Sequence, residues 1–248
     1  MADEKHLNQR VDTEADSKRT STISPAASSV HPIVVSASEA SWEVATPTKK
    51  TKRLWFDPVA QRVVQLTRFE PGAKLPLHRH LGNELIYVIE GDVSDEAGTV
   101  TAGNMSRRPT GCVHTVTSRN GATMFAIVTG GNEDASAIDH TPRSTTYVLS
   151  EIAWTQESPG LRRKQIWTRH DGMPQASLLR LEAGATIPRH RHVGEEFIFV
   201  IEGSYADASG EVRAGEMNYL PDGYVHAVAT SNGATVLSIA YGSVEEIE

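Results

Sequence analysis

Short apolar runs, rather than helical stripes, organise this chain. Leu85-Ile86-Tyr87-Val88-Ile89 and Phe197-Ile198-Phe199-Val200-Ile201 are rich in β-branched and aromatic residues, and each closes on Glu-Gly. Apolar side chains on both faces place such a strand between a filled barrel interior and a second packed layer. Turn signals recur at short intervals: Pro71-Gly72, Ala97-Gly98, Ala102-Gly103, Pro109-Thr110-Gly111 and Asn120-Gly121. No stretch carries the periodicity of a long amphipathic helix. The pattern predicts an all-β protein built as barrels, with about eight strands per unit in jelly-roll order.

The unit is written twice. Displaced by 112 residues, the chain lies on itself without a gap: Glu39 falls on Glu151, Trp42 on Trp154, Trp55 on Trp167, Gly72 on Gly184, Gly91 on Gly203 and Gly103 on Gly215. Asn120-Gly121-Ala122-Thr123 returns as Asn232-Gly233-Ala234-Thr235. A period this long means two domains or fused halves, not a solenoid of short repeats. The expected division is a tail over residues 1–32, a first barrel over 33–144 and a second over 145–248. The tail is rich in Ser, Thr, Ala, Asp and Lys, has no buriable face, and is expected to be disordered.

Composition narrows the classes. A net charge of −7 and a pI near 5.8 argue against a nucleic-acid surface. The basic cluster Lys49, Lys50, Lys52 and Arg53 reads as the solvated face of a hairpin. One cysteine, Cys112, excludes an internal disulfide and a cysteine-rich zinc site. No apolar run is long enough to span a bilayer, and Met1 to Arg10 lack the apolar core of a signal peptide. A cytoplasmic protein with no membrane partner is the expectation.

The chemistry lies in the histidines. Six of the ten stand at equivalent places: His78, His80 and His114 in the first copy, His190, His192 and His226 in the second. Glu84 and Glu196 accompany them at equal spacing. Residues two apart in a strand share a face, so His78 and His80 project together. Leu81-Gly82-Asn83 allows a turn that brings Glu84 back, and the turn at Pro109-x-Gly111 delivers His114 from a distant strand. A lone histidine on an apolar strand is ordinarily a hydrogen-bonded core residue. Three histidines and a glutamate duplicated without a slip point instead to one divalent metal per barrel. Zinc and iron(II) suit this donor set best, with nickel or manganese next.

Gly72-x5-His78-x-His80-x3-Glu84-x6-Gly91, followed by Gly103-x5-Pro109-x-Gly111-x2-His114, resembles both signature motifs of the cupins. Gly184 to Gly203 and Gly215 to His226 match them again, so the chain is similar to a bicupin over almost everything from residue 33 onward. The resemblance implies two tandem cupin barrels (jelly rolls, or double-stranded β-helices) and a ligand set of three histidines and a glutamate in each. The tract from Leu178 through His192, then Gly194-Glu195-Glu196, is similar to the cupin domain of ChrR-type anti-sigma factors. Those proteins carry an N-terminal zinc-binding domain with paired cysteines. This chain has no Cys-x-x-Cys, which argues against a sigma-factor partner.

Two function classes follow from the resemblance. One is a metal-dependent dioxygenase, or a related lyase or isomerase, acting on a diketone- or hydroxyketone-like small molecule. The other is a ChrR-like module that binds a small ligand without turning it over. A metal-free sugar epimerase, the third cupin option, does not need the intact ligand sets. No catalytic residue beyond the metal ligands is singled out. Tyr87, Arg107, Arg108 and Cys112 lie nearby in sequence, opposite Phe199, Tyr219, Leu220 and Tyr224 in the second copy. If these side chains face the sites, the first copy is the more basic and open, and the second is crowded by two tyrosines and a leucine. Barrels of this type expose edges, and Ile33-Val34-Val35 is the strand expected to pair two chains into a homodimer.

Overall fold

The computed structural model describes residues 31–138, 142–169 and 174–247. The residues preceding 31, where the tail was expected, lie outside this range. Among the described residues the structure is β throughout, apart from one 3-10 turn at Leu149–Glu151. Two curled sheets form, one per repeat, so the chain is two tandem cupin barrels. Among the described residues each sheet counts eleven strands rather than eight. The added strands are short edge pieces such as Asn132–Asp134 and Ser243–Glu246, too brief to show in an apolar pattern.

The apolar runs lie in the strands Glu84–Asp95 and Glu196–Asp207, where both faces are buried. Leu85 and Tyr87 join Phe197 and Phe199 in the largest core cluster, which sits between the barrels. Ile86 and Val88 point the other way into the first barrel, and Ile198 and Val200 into the second. The second packed layer is therefore the other barrel. Phe125 stacks on Phe199 at 4.7 Å, and Trp55 meets Phe197 edge-on at 5.0 Å. Arg62 crosses the same interface, lying over Trp55, Phe197 and Tyr241 and donating to Glu195.

The repeats also exchange their first strands. Ile33–Ser36 pairs with Glu216–Leu220 in the second sheet, with Ile33 opposite Tyr219. Its counterpart Thr145–Tyr147 pairs with Met105–Arg108 in the first sheet. Boundaries at residues 33 and 145 thus mark the repeats of the sequence, while each barrel borrows its neighbour's opening strand. The strand expected to pair two chains is paired within one.

At Gly91 and Gly203 the backbone needs glycine. Both have positive φ, +78° and +74°. A Cβ would lie 1.9 Å from the Gly121 carbonyl oxygen in one case and 2.0 Å from that of Gly233 in the other. The repeated Asn-Gly turn thus packs against the end of the run that carries the glutamate.

Candidate metal centres

Three adjacent strands build each site. In the first barrel Val113–Ser118 lies between Ala73–His80 and Glu84–Asp95. The pairing runs Leu75 opposite Val116, then His78 opposite His114, so the histidine strand carries one extra residue. That bulge sits at Pro76, which has no N–H for the ladder. It turns His78 to face His114. The second barrel repeats the device at Pro188: Ile187 faces Val228, then His190 faces His226.

The bulge also fixes ring orientation. Nδ1 of His78 donates to the Pro76 carbonyl at 2.9 Å, and Nδ1 of His190 to that of Pro188 at 2.8 Å. Each leaves its Nε2 lone pair free. Across the site, Nε2 of His80 lies 2.9 Å from Nε2 of His114, and the His192–His226 pair repeats that distance. A separation near 3 Å is what two neighbouring nitrogens on one ion require at bond lengths of about 2.1 Å. One ligand atom from each histidine of a triad lies within 4.8 Å of the others. All six rings are buried. Burial, the largest influence, lowers His80 to about 4 and His192 to about 3. Both rings are neutral near pH 7, as metal ligands must be.

Two carboxylates that the sequence reading passed over complete the sites. His114 Nδ1 lies 3.3 Å from Asp95 Oδ2, and His226 Nδ1 lies 2.8 Å from Asp207 Oδ2. Burial would raise both acids, but the histidine contacts and other hydrogen bonds hold them down, Asp207 at about 2. An ionised partner on Nδ1–H keeps the lone pair on Nε2 and makes it more basic. The signal was available: Asp95 and Asp207 obey the same 112-residue offset as the histidines.

The glutamates stand beside the triads, outside the three-nitrogen clusters, and they differ. Glu84 Oε2 is 3.8 Å from His80 Nε2 and accepts from Arg108 at 3.1 Å. Burial would raise its carboxyl, but Arg108 and the neighbouring histidines bring it down to about 2. Position 220 holds leucine in place of that arginine. Glu196 accepts from Ser238 and lies 3.3 Å from His192 Nδ1, and burial raises its carboxyl. Of the expected four-residue sets, the structure brings the histidines together, with Glu84 and Glu196 beside them and held by Arg108 and Ser238.

A cavity of about 180 Å³ opens beside His78 and His80 in the first barrel, and one of about 290 Å³ opens on all three histidines in the second. The expected crowding of the second copy does not occur. Tyr219 points into the inter-barrel core against Trp55 and Phe197. Tyr224 packs beside His226 and donates to Asp207. Tyr87 and Phe199 belong to the interface as well. Cys112 is buried, and its thiol is pushed up to about 11, chiefly by desolvation. Of the flanking residues only Arg108 and Leu220 line the cavities.

The ChrR cupin-like domain, as a family, matches residues 30–132 and again 143–245. The chain belongs to the ChrR cupin-like family. None of the curated proteins matches it. Among solved structures, the oxalate decarboxylase of Bacillus subtilis superposes with a TM-score of 0.65 at 18% identity, covering 89% of this chain and 79% of that one. A Nostoc punctiforme protein provisionally assigned as a dioxygenase superposes with a TM-score of 0.70 at 11% identity, covering 88% and 83%. The Bacillus enzyme is described with Mn(II) centres. Identities this low speak to the fold, and the fold of this ChrR-like chain is that of a bicupin. No helix among the described residues is long and apolar enough to cross a membrane.

Proposed function

We propose that this bicupin is a metal-dependent enzyme that acts on a small oxygenated molecule, with oxygen-dependent cleavage of a diketone- or hydroxyketone-like substrate as its reaction class. The observation that carries it is a buried histidine triad whose ligand atoms lie within 4.8 Å of one another beside a cavity, present twice. His78, His80 and His114 would hold one ion and His190, His192 and His226 the other, with Glu84 and Glu196 as the fourth ligands. A divalent ion there would supply Lewis acidity and a template for substrate oxygens. Zinc and iron(II) suit the donors, and the Mn(II) centres of the Bacillus relative add manganese to the metals worth testing. The residues on the page do the remainder. Asp95 and Asp207 hold the imidazole tautomers, and apolar walls such as Ile86, Ile198, Val116 and Val228 exclude water.

A second reading is a cytoplasmic ligand-sensing module, and membership of the ChrR cupin-like family favours it. In both readings the partner is a small molecule. Elemental analysis followed by oxygen uptake with β-diketones and hydroxyketones separates the two. The enzyme reading expects about two ions per chain and uptake with at least one substrate. Metal-loaded protein that binds these compounds, raising its unfolding temperature, without consuming oxygen or forming product would favour the sensor.

A further inference from the structure

The two cavities share their histidines, but the walls change character at matched positions. Lys49, Thr67, Arg108 and Asn132 line the first cavity. At the offset of 112 residues the second cavity presents Leu161, Leu179, Leu220 and Val244. Four polar positions have become aliphatic.

Charge separates them further. In the first barrel Arg108 bonds Glu84 at 3.1 Å and approaches Asp95 at 3.6 Å. Lys49 supplies a second cation on the same cavity wall, and its charge acts on both His78 and Glu84. Two carboxylates and two cations cancel, so any divalent ion leaves an excess of positive charge. Among the described residues no ion pair ties Lys49 to a carboxylate. In the second barrel Arg163 is, among the described residues, the one arginine or lysine lining the cavity, and Glu157 takes it up through Nε at 2.7 Å and Nη2 at 2.8 Å. Glu196 and Glu246 line that cavity, and Asp207 stands behind His226, without a matching cation on the cavity wall. A divalent ion there does not outweigh the acids.

We infer that the first barrel is a carboxylate-binding site, with the Lys49 ammonium as counter-charge for a small oxo- or hydroxy-acid whose oxygen faces the triad, while the second barrel takes a larger uncharged molecule. The inference rests on the metal-dependent reading and adds the substrate class to it. A cavity of about 180 Å³ limits the acid to a few heavy atoms. A charge in a confined, partly desolvated wall discriminates between an anion and its neutral isostere far better than a surface lysine does.

Pyruvate and butane-2,3-dione make the test, since they differ by one carboxylate oxygen against one methyl. The full chain is loaded with cobalt(II), its metal content is measured, and each compound is titrated by calorimetry and by the cobalt absorption band. Pyruvate should bind at least about tenfold more tightly than the dione. Lys49→Met, which keeps the length of the side chain, should remove that preference with cobalt content and unfolding temperature unchanged, and Lys49→Arg should keep most of it. Equal binding of the two compounds, or a pyruvate affinity that Lys49→Met leaves intact, overturns the inference while leaving the metal reading standing. If wild-type protein fails to hold cobalt, the metal reading falls. The metal-free chain then decides the subsite, and it is overturned if Lys49→Met does not weaken pyruvate there.

Discussion

Asp207→Asn tests whether the buried carboxylate behind His226 governs metal binding. Both side chains are almost wholly enclosed, at 0% and 2% exposure. Oδ2 accepts from His226 Nδ1 at 2.8 Å and from the Tyr224 hydroxyl at 3.3 Å. Oδ1 accepts from the Ser209 N–H at 2.8 Å and from its hydroxyl. Every partner donates, so the site needs two acceptor oxygens. An asparagine has one, and its NH2 must then face either Ser209 or the His226–Tyr224 pair. In the second case His226 can accept only by moving its proton to Nε2, which removes the lone pair meant for the ion. In the first, two donors around Ser209 lose their acceptor, a cost of about 1–3 kcal/mol in stability. Either way the charge that raises imidazole basicity is gone, and outer partners of this kind are worth roughly 10–100-fold in metal affinity. A competition titration of metal-free protein against a chromophoric chelator reads both sites at once. Wild type should show two tight ions, and the variant one tight ion and one weakened by that factor, with the first barrel as internal control. Two unchanged affinities in a folded variant would refute the role given to Asp207.

Three further outcomes are expected. His80 and His192 are held at about 4 and about 3, chiefly by burial, whereas the unfolded chain titrates near 6.5, so the unfolded state binds protons that the folded one refuses. Stability of the metal-free protein is therefore complete above about pH 6.5 and falls as pH drops toward those folded values, each ring costing roughly 1.4 kcal/mol for every pH step of one. Denaturant melts at pH 7.5 and 5 that coincide would contradict this. Gly91→Ala should cost more than about 2 kcal/mol, since its Cβ meets a carbonyl oxygen at 1.9 Å, whereas Gly72→Ala, with nothing within 4 Å, should cost only its backbone strain, as thermal melts would show. Cys112 should resist thiol reagents in the native protein and react on unfolding, because it is buried with its thiol raised to about 11; rapid native labelling would count against the packing described.

The parts of this molecule legible in sequence are those that chemistry repeats. Duplicated histidines at fixed spacing revealed both triads, because a ligand set constrains residue type and interval together. Apolar residues on both faces of Glu84–Asp95 revealed a second layer, though its nature, the other barrel, does not show in any local pattern. Asp95 and Asp207 were overlooked because an aspartate before a turn reads as turn chemistry until a buried histidine is found beside it. The crowding expected from Tyr219 and Tyr224 failed for a related reason. Strand parity decides whether a side chain meets the cavity or the interface, and parity after a bulge cannot be counted from a sequence. Lys49 belonged to a cluster that read as solvated surface, and only the curl of the sheet turns its side chain inward.

The reciprocal trade of opening strands has a consequence for how the molecule comes into being. A half-length chain would carry one strand with no place to lie and one edge with no cover, and could meet both needs only by embracing a twin. The present polypeptide is such a pair written in one piece, with the tether raising the local supply of the missing strand to roughly millimolar. The arrangement sets a waiting time during synthesis. Ile33 leaves the ribosome 186 positions ahead of its partner Tyr219. At about 5–20 residues per second that is roughly ten to forty seconds in which the first strand has no native neighbour. The first barrel, in contrast, receives Thr145–Tyr147 soon after Met105–Arg108 is made, and can close while its twin is still being translated.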